Sequence, residues 1–431
     1  MAEAPDRRRR VAIACQGGGS HTAFTAGVLS RLFTQDTLAH HEIVGLSGTS
    51  GGAVCALLAW YALLEDDPAR AGKLLDAFWA DNSASTPFEW LVNSWTLWAS
   101  RLEHVAVTPA VSPYDTYLSL SAVRNFRAML ERRVDFDRVD VIDDPARPLL
   151  LVGAVDVMSG AFRAFNSRRD RITADVILAS AAIPTLFRAT RLPDGLYWDG
   201  LFSQNPPVRE LIDAAPDEIW VVQINPQRRD SEPRSVAEIA DRRNELSGNL
   251  SLHQELRFIE KINQLLEEGL LRADGRYRRI VVRLIELPRT RLSRSLGTAS
   301  KLNRDPGFIQ EMIAAGARLA DEFLAALAFE DAWRTGDLDT VLDFFTPDAA
   351  LASSPPFSVH PLGHGHDHIR PFLAEKLLDV TVDLTRKQVA HDGVTWTVRT
   401  SGTGAPAHGF AHAQFRDGRI TALHITAADG T

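Results

Sequence analysis

Glu42-Ile43-Val44-Gly45-Leu46-Ser47-Gly48-Thr49-Ser50-Gly51-Gly52 sets a serine among glycines at the point where a short apolar run gives way to a longer one. The spacing Gly48-x-Ser50-x-Gly52 is that of a nucleophile elbow. Such a sharp turn holds a seryl hydroxyl clear of the backbone and crowds its neighbours so closely that glycine is favoured on both flanks. Glycine and serine also fill ordinary turns, so the pentapeptide alone decides little and its surroundings decide more. Ile43-Val44-Gly45-Leu46 reads as a strand, and Ala53 to Leu64 is almost wholly apolar, as in a helix buried behind a sheet.

A second glycine cluster lies one unit upstream, where the strand-like Val11-Ala12-Ile13-Ala14-Cys15 ends in Gln16-Gly17-Gly18-Gly19-Ser20. Uncovered backbone N–H groups there, at the start of a helix expected from about Thr22 to Phe33, suit a phosphate or the oxyanion of an acyl-transfer intermediate. A dinucleotide fingerprint fails on spacing: counted from Gly17, Thr22 falls on the third glycine, and no Gly-Lys-Ser/Thr follows. An oxyanion loop and a plain tight turn are the readings left.

A seryl nucleophile needs a base, and the chain offers two. His253 would satisfy the order Ser, acid, His, but it lies inside a long helical pattern, where a packing or surface histidine is the simpler identity. Asp199, in Gly195-Leu196-Tyr197-Trp198-Asp199-Gly200-Leu201, follows an apolar strand and precedes a glycine that admits another backbone. Burial would raise its pKa and let it take the seryl proton directly. Asp194-Gly195, just upstream, reads as a hairpin turn.

The loop Gly17-Gly18-Gly19-Ser20, the elbow Gly48-Thr49-Ser50-Gly51-Gly52, the stretch Ser180-Ala181-Ala182-Ile183-Pro184-Thr185-Leu186-Phe187 and the pair Asp199-Gly200 stand in the order found in patatin-like phospholipases. The chain resembles that family over roughly residues 10 to 325. The resemblance implies an α/β fold with a mostly parallel, helix-covered sheet and a serine esterase that works through a Ser-Asp dyad without histidine or cofactor. It implies Ser50 as nucleophile, Asp199 as base, Gly17, Gly18 and Gly19 as the oxyanion loop, Gly48 and Gly52 as the elbow, and Gly51, Gly200 and Pro184 in support. Many members carry Arg or Lys two residues after the last loop glycine. His21 stands there instead, which ties any help to a phosphate headgroup to pH.

At 431 residues and 45% hydrophobic composition the chain has material for two cores. The expected division is a hydrolase domain over 1–328 and a second domain over 329–431. No apolar run reaches bilayer length, since Gly51 to Leu64 stops at Glu65-Asp66-Asp67. Arg7-Arg8-Arg9-Arg10 leads into a strand rather than a signal core, and Cys15 and Cys55 read as small core residues. A cytoplasmic protein, with peripheral membrane contact, is the expectation. A net charge of −8 argues against nucleic acid as a partner.

Between elbow and aspartate, Phe88 to Trp98 holds Trp90, Trp95 and Trp98, suited either to an acyl chain or membrane interface or to a buried core. Leu149–Val155, Glu218–Ile224 and Ile280–Ile285 read as further strands, and Ser235 to about Leu271 as a charged helix with Arg257, Glu260 and Lys261 on its solvated face. A helix opens at Pro306-Gly307-Phe308 and runs towards Leu327.

Beyond it the pattern predicts a helix around Ala332, a second helix over Leu342–Ala349, a loop from Gly363 to His368, and a helix over Ile369–Leu378. Strands are predicted at Val380–Leu384, Val394–Val398, Ala411–Phe415 and Ile420–His424. This α+β layout resembles the SnoaL-like, nuclear-transport-factor-like cone domains over roughly 329–431, which implies a small-ligand pocket, a catalyst or a dimerisation module; a homodimer through this domain is the expectation. His360, His364, His366 and His368 near Asp367 invite a metal reading, but Asp367 as a helix cap explains that loop without one, and no metal is assigned. The expected activity is hydrolysis of a phospholipid or lysophospholipid ester. General carboxylesterase or neutral-lipid lipase activity is the alternative, and a lipid-binding regulatory protein is the alternative outside enzymes.

Overall fold

The computed structural model describes residues 8–86, 89, 93–94, 112–115, 118–184, 186–229, 231–273, 277–288, 296–297, 299–354, 360–379, 386–390, 393–399 and 408–427. The chain divides into two compact units, one of residues 1–280 with 291–317 and the other of residues 281–290 with 318–431.

The first unit is built on strands β1 (Arg9–Cys15), β2 (His41–Thr49), β3 (Leu149–Asp156), β4 (Phe162–Asn166), β5 (Thr190–Leu192), β6 (Gly195–Asp199) and β7 (Glu218–Gln223). They pair in the order β7-β1-β2-β3-β6-β5, with β4 also on β3. The four strands from β7 to β3 are parallel, whereas β4, β5 and β6 join antiparallel. Val11 to Cys15 and Leu149 to Val152 are buried throughout, because a parallel sheet is covered on both faces and its strands lose the polar alternation of a half-exposed sheet.

Helices α1 (Ala23–Leu32), α2 (Gln35–His40), α3 (Gly51–Leu64), α4 (Arg70–Asn82), α5 (Leu118–Glu131), α6 (Ala174–Ser180) and α7 (Val236–Glu267) complete this unit with the first part of α8 (Pro306–Thr335). The expected first helix begins one turn early, as a tight three-residue-per-turn segment at Gly19–Thr22. α3 is apolar all round and buried from Gly52 to Ala62, the pattern of a helix enclosed by protein on every side. It packs on β2, β3 and α4. Trp60 lies wholly inside and donates its indole N–H to Pro148 O at 2.7 Å. Cys15 and Cys55 are buried free thiols, and burial pushes the Cys55 thiol up to about 12.

The second unit holds β8 (Val281–Glu286), β9 (Phe345–Ser353), β10 (His360–His364), β11 (Arg386–Ala390), β12 (Gly393–Arg399), β13 (His408–Arg416) and β14 (Arg419–Ala427), with α9 (Leu338–Asp343) and α10 (His366–Asp379). The strand order is β10-β9-β14-β13-β12-β11-β8. Phe329 meets Phe344, Phe345 and Trp396 in its core. A fully buried ion pair crosses that core: Arg283 Nη1 donates to Glu330 Oε2 at 2.6 Å, and Trp396 Nε1 donates to Glu330 Oε1 at 2.7 Å.

Several expectations are corrected here. The helix read over Leu342–Ala349 ends at Asp343 and becomes strand β9 at Phe345, where pairing with β10 and β14 wins over helical propensity. The expected loop from Gly363 to His368 is the end of β10 followed by the start of α10, so Asp367 lies in the first helical turn rather than at the cap. Strand β8 pairs in parallel with β11 and falls in the second unit, and residues 328–329 lie within the continuous helix α8. The strand read at Val380–Leu384 lies outside the described residues.

Candidate active site

The β2–α3 junction is strained at its centre. Ser50 adopts φ 56° and ψ −130°, a conformation that costs a residue with a side chain about 1–3 kcal/mol and persists only where its surroundings enforce it. The enforcement is steric. A Cβ on Gly48 would strike the Gly52 carbonyl, and one on Gly52 would strike the Cys15 carbonyl, so the elbow closes only with both side chains absent. Hydrogen bonds fix its height: Ser50 N–H donates to Ser180 Oγ at 3.0 Å, and Ser180 Oγ donates to Gly153 O at 2.6 Å.

Asp199 ends β6 beside this serine. It is 1% exposed, its amide donates to Ala182 O at 3.0 Å, and its Oδ1 accepts from Leu201 N–H at 2.8 Å. Burial is the dominant influence on its carboxyl and pushes it up to about 6; the Ser50 hydroxyl, the Leu201 amide and the positive charge of Lys301 pull the other way. Gly200 is needed because a Cβ there would lie 2.6 Å from Gly153 O. The stretch Ser180–Phe187 therefore holds both residues, Ser180 the elbow and Ala182 the aspartate; Pro184 sits half-buried in its turn, and Thr185 lies outside the described residues.

The glycine loop splits into two roles. Gly17 N–H is bonded to Asn205 Oδ1 at 2.7 Å, which removes Gly17 from the expected oxyanion donors. Gly18 and Gly19 follow it into the turn, and Gly19 has φ 57° with its Cα against the Lys301 backbone. His21 is likewise corrected: it is fully buried, bonded to Ser300 Oγ at 2.8 Å and tilted against Phe308, so it does not stand where a headgroup would meet it.

A network of buried amides, not anticipated from sequence, pins the loop. Gln16 Oε1 accepts from Ile224 and Asn225 N–H at 2.8 Å each, while its Nε2 donates to Asn249 Oδ1 at 2.8 Å. Asn225 Oδ1 accepts from Lys301 Nζ at 2.8 Å. The available signal was the placing of Gln16, Asn205 and Asn225 at strand ends or beside prolines, where a polar side chain among apolar neighbours must find backbone partners.

Ser50, Gly19 and Gly51 line a cavity of about 200 Å³ whose walls include Phe78, Phe126, Leu178 and Phe187, with Lys301, Arg188 and Arg304 as its cations. Trp90, Trp95 and Trp98 lie outside the described residues. His253 is half-buried on α7 and is not among the residues lining this cavity. In the second unit, His366 Nε2 faces Phe345 O at 3.1 Å and His368 Nδ1 faces His364 O at 2.8 Å, so both rings are engaged by backbone carbonyls.

The serine elbow, the glycine loop and the buried aspartate are carried by one mixed sheet. Residues 13–212 match the patatin-like phospholipase family, a family of lipid hydrolases, and residues 326–423 match the SnoaL-like domain. The chain thus carries a patatin-like phospholipase domain followed by a SnoaL-like α+β domain, the two families and the fold class read from the sequence.

No curated protein matches the chain. Among solved structures, an NTF2-like protein of unknown function from Mesorhizobium loti is 16% identical over 26% of this chain and 94% of its own, with TM-score 0.24. A steroid delta-isomerase from Pseudomonas aeruginosa is 18% identical over 26% of this chain and 81% of its own, with TM-score 0.23. Among the described residues no helix is long and apolar enough to cross a membrane.

Proposed function

We propose that the first unit hydrolyses phospholipid or lysophospholipid esters through an acyl-enzyme on Ser50, with Asp199 as the base. The observation that carries this is the strained Ser50 elbow on the wall of an apolar cavity together with the buried Asp199 carboxyl, which burial raises to about 6 and which feels the Ser50 hydroxyl. As Ser50 Oγ attacks the ester carbonyl, Asp199 takes its proton and the N–H groups of Gly18 and Gly19 receive the developing oxyanion. Collapse of the intermediate expels the alcohol, which leaves with the proton from Asp199. Water then attacks the acyl-enzyme, Asp199 takes its proton and returns it to Ser50, and the fatty acid departs. Cations in the cavity wall favour an anionic lipid over a neutral one, the ground for preferring phospholipid to triacylglycerol.

Mass spectrometry of products from a phospholipid, a lysophospholipid and a triacylglycerol offered together tests this substrate class. Free fatty acid from the first two is expected; release from triacylglycerol alone would move the assignment to a neutral-lipid lipase.

The raised carboxyl also predicts a pH profile. Asp199 accepts a proton only when ionised, so kcat/KM should be level above about pH 6 and fall tenfold per unit below it. A histidine base would give a similar limb, but adding ethanol separates the two: a carboxyl limb moves to higher pH, whereas an imidazolium limb does not. A limb unmoved by ethanol would remove Asp199 from the role.

A further inference from the structure

We propose that the outer face of α7 docks the protein on an anionic lipid bilayer. α7 runs from Val236 to Glu267 and starts at a complete capping box formed by Ser235 and Glu238. Its inner face is spent on the first unit: Leu252, Leu256 and Ile259 are buried in the core, Asn249 reaches Gln16, and Glu255 accepts from the Val208 and Arg209 amides.

The outer face is apolar where a solvated helix would be polar. Ile239 is 53% exposed, Leu246 53% and Leu250 61%. At 100° per residue these three fall with Arg243, Arg257 and Lys261 inside an arc of about 60°. All six side chains are exposed, and Phe258 and Val236 extend the apolar strip along one edge. Single exposed leucines need no explanation, but an ordered strip over six turns does.

Charge selects the occupant. The chain carries a net charge of −8, yet the charged side chains inside this arc of the helix are basic; Glu260 and Glu267 flank it on one side and Glu268 lies just past its end. Glu245 points elsewhere, into ion pairs with Arg229 and Arg242. Aliphatic side chains interleaved with Arg and Lys suit a membrane interface, where the apolar groups enter the acyl boundary and the long basic stems reach back to phosphates. Three basic groups near an anionic surface give a preference on the order of a hundredfold over a neutral one.

The choice of lipid as occupant rests on the lipid-ester reading above, so the test does not use turnover. Full-length Ser50→Ala protein is centrifuged with vesicles of phosphatidylcholine alone or mixed with phosphatidylglycerol. Binding is expected to the anionic vesicles only, weakened at least tenfold by Leu246→Glu with Leu250→Glu, and similarly by Arg243→Glu, Arg257→Glu and Lys261→Glu together, with circular dichroism melts confirming the fold. Equal binding of the variants, or no binding by the parent, overturns the proposal. A parent dimer in light scattering that the Leu246→Glu/Leu250→Glu protein loses also overturns it, and makes the strip an interface between two copies.

Discussion

Replacing Ser50 with alanine is expected to abolish labelling by an active-site fluorophosphonate and to lower lipid-ester turnover by about four orders of magnitude or more, the scale of nucleophile loss in serine hydrolases. The substitution removes one oxygen from a residue already 6% exposed, and the elbow is held by backbone contacts and by Ser180, so the fold should survive. Alanine pays the same positive-φ strain as serine at this position, which keeps the comparison about chemistry rather than stability. Labelling that persists in the Ser50→Ala protein would place the nucleophile elsewhere.

Asp199→Asn should follow closely, with turnover down by roughly a hundredfold to ten-thousandfold and thermal stability little changed. Asparagine keeps an acceptor for the Leu201 amide, but it cannot take a proton from the Ser50 hydroxyl. His253→Ala should leave turnover within a few-fold of the parent, because its ring belongs to α7 and not to the cavity wall. A dead His253→Ala protein beside an active Asp199→Asn protein would replace the dyad with a conventional triad.

Much of this site is legible in the sequence because its constraints are local. Gly48, Ser50 and Gly52 announce a turn that only glycine flanks allow, and the apolar runs on either side announce the strand and the buried helix that deliver it. Asp199 is readable for the same reason, as a charge at the end of an apolar strand. Residues whose work depends on a distant partner are not readable in this way. Gly17 looks identical to Gly18 until Asn205, far along the chain, claims its N–H. His21 resembles a headgroup ligand until Phe308 and Ser300 are seen to enclose it.

The second domain shows the same limit. Its hairpin strands β12, β13 and β14 carry alternation that periodicity finds, whereas the passage from α9 into β9 does not. Phe344 and Phe345 suit either state until the core around Phe329 fixes the choice.

Strand β8 carries a consequence for how the chain is made. Its partner β11 begins at Arg386, about a hundred residues later, and Glu330, which pairs with the Arg283 guanidinium, also follows it in the chain. At translation speeds of about 5–20 residues per second, β8 leaves the ribosome on the order of 5–20 s before the strand it pairs with. During that interval Val282, Leu284 and Ile285 have no β11 to lie against. The second domain is thus a late closure around an early strand, rather than a cassette added to the end of a finished one.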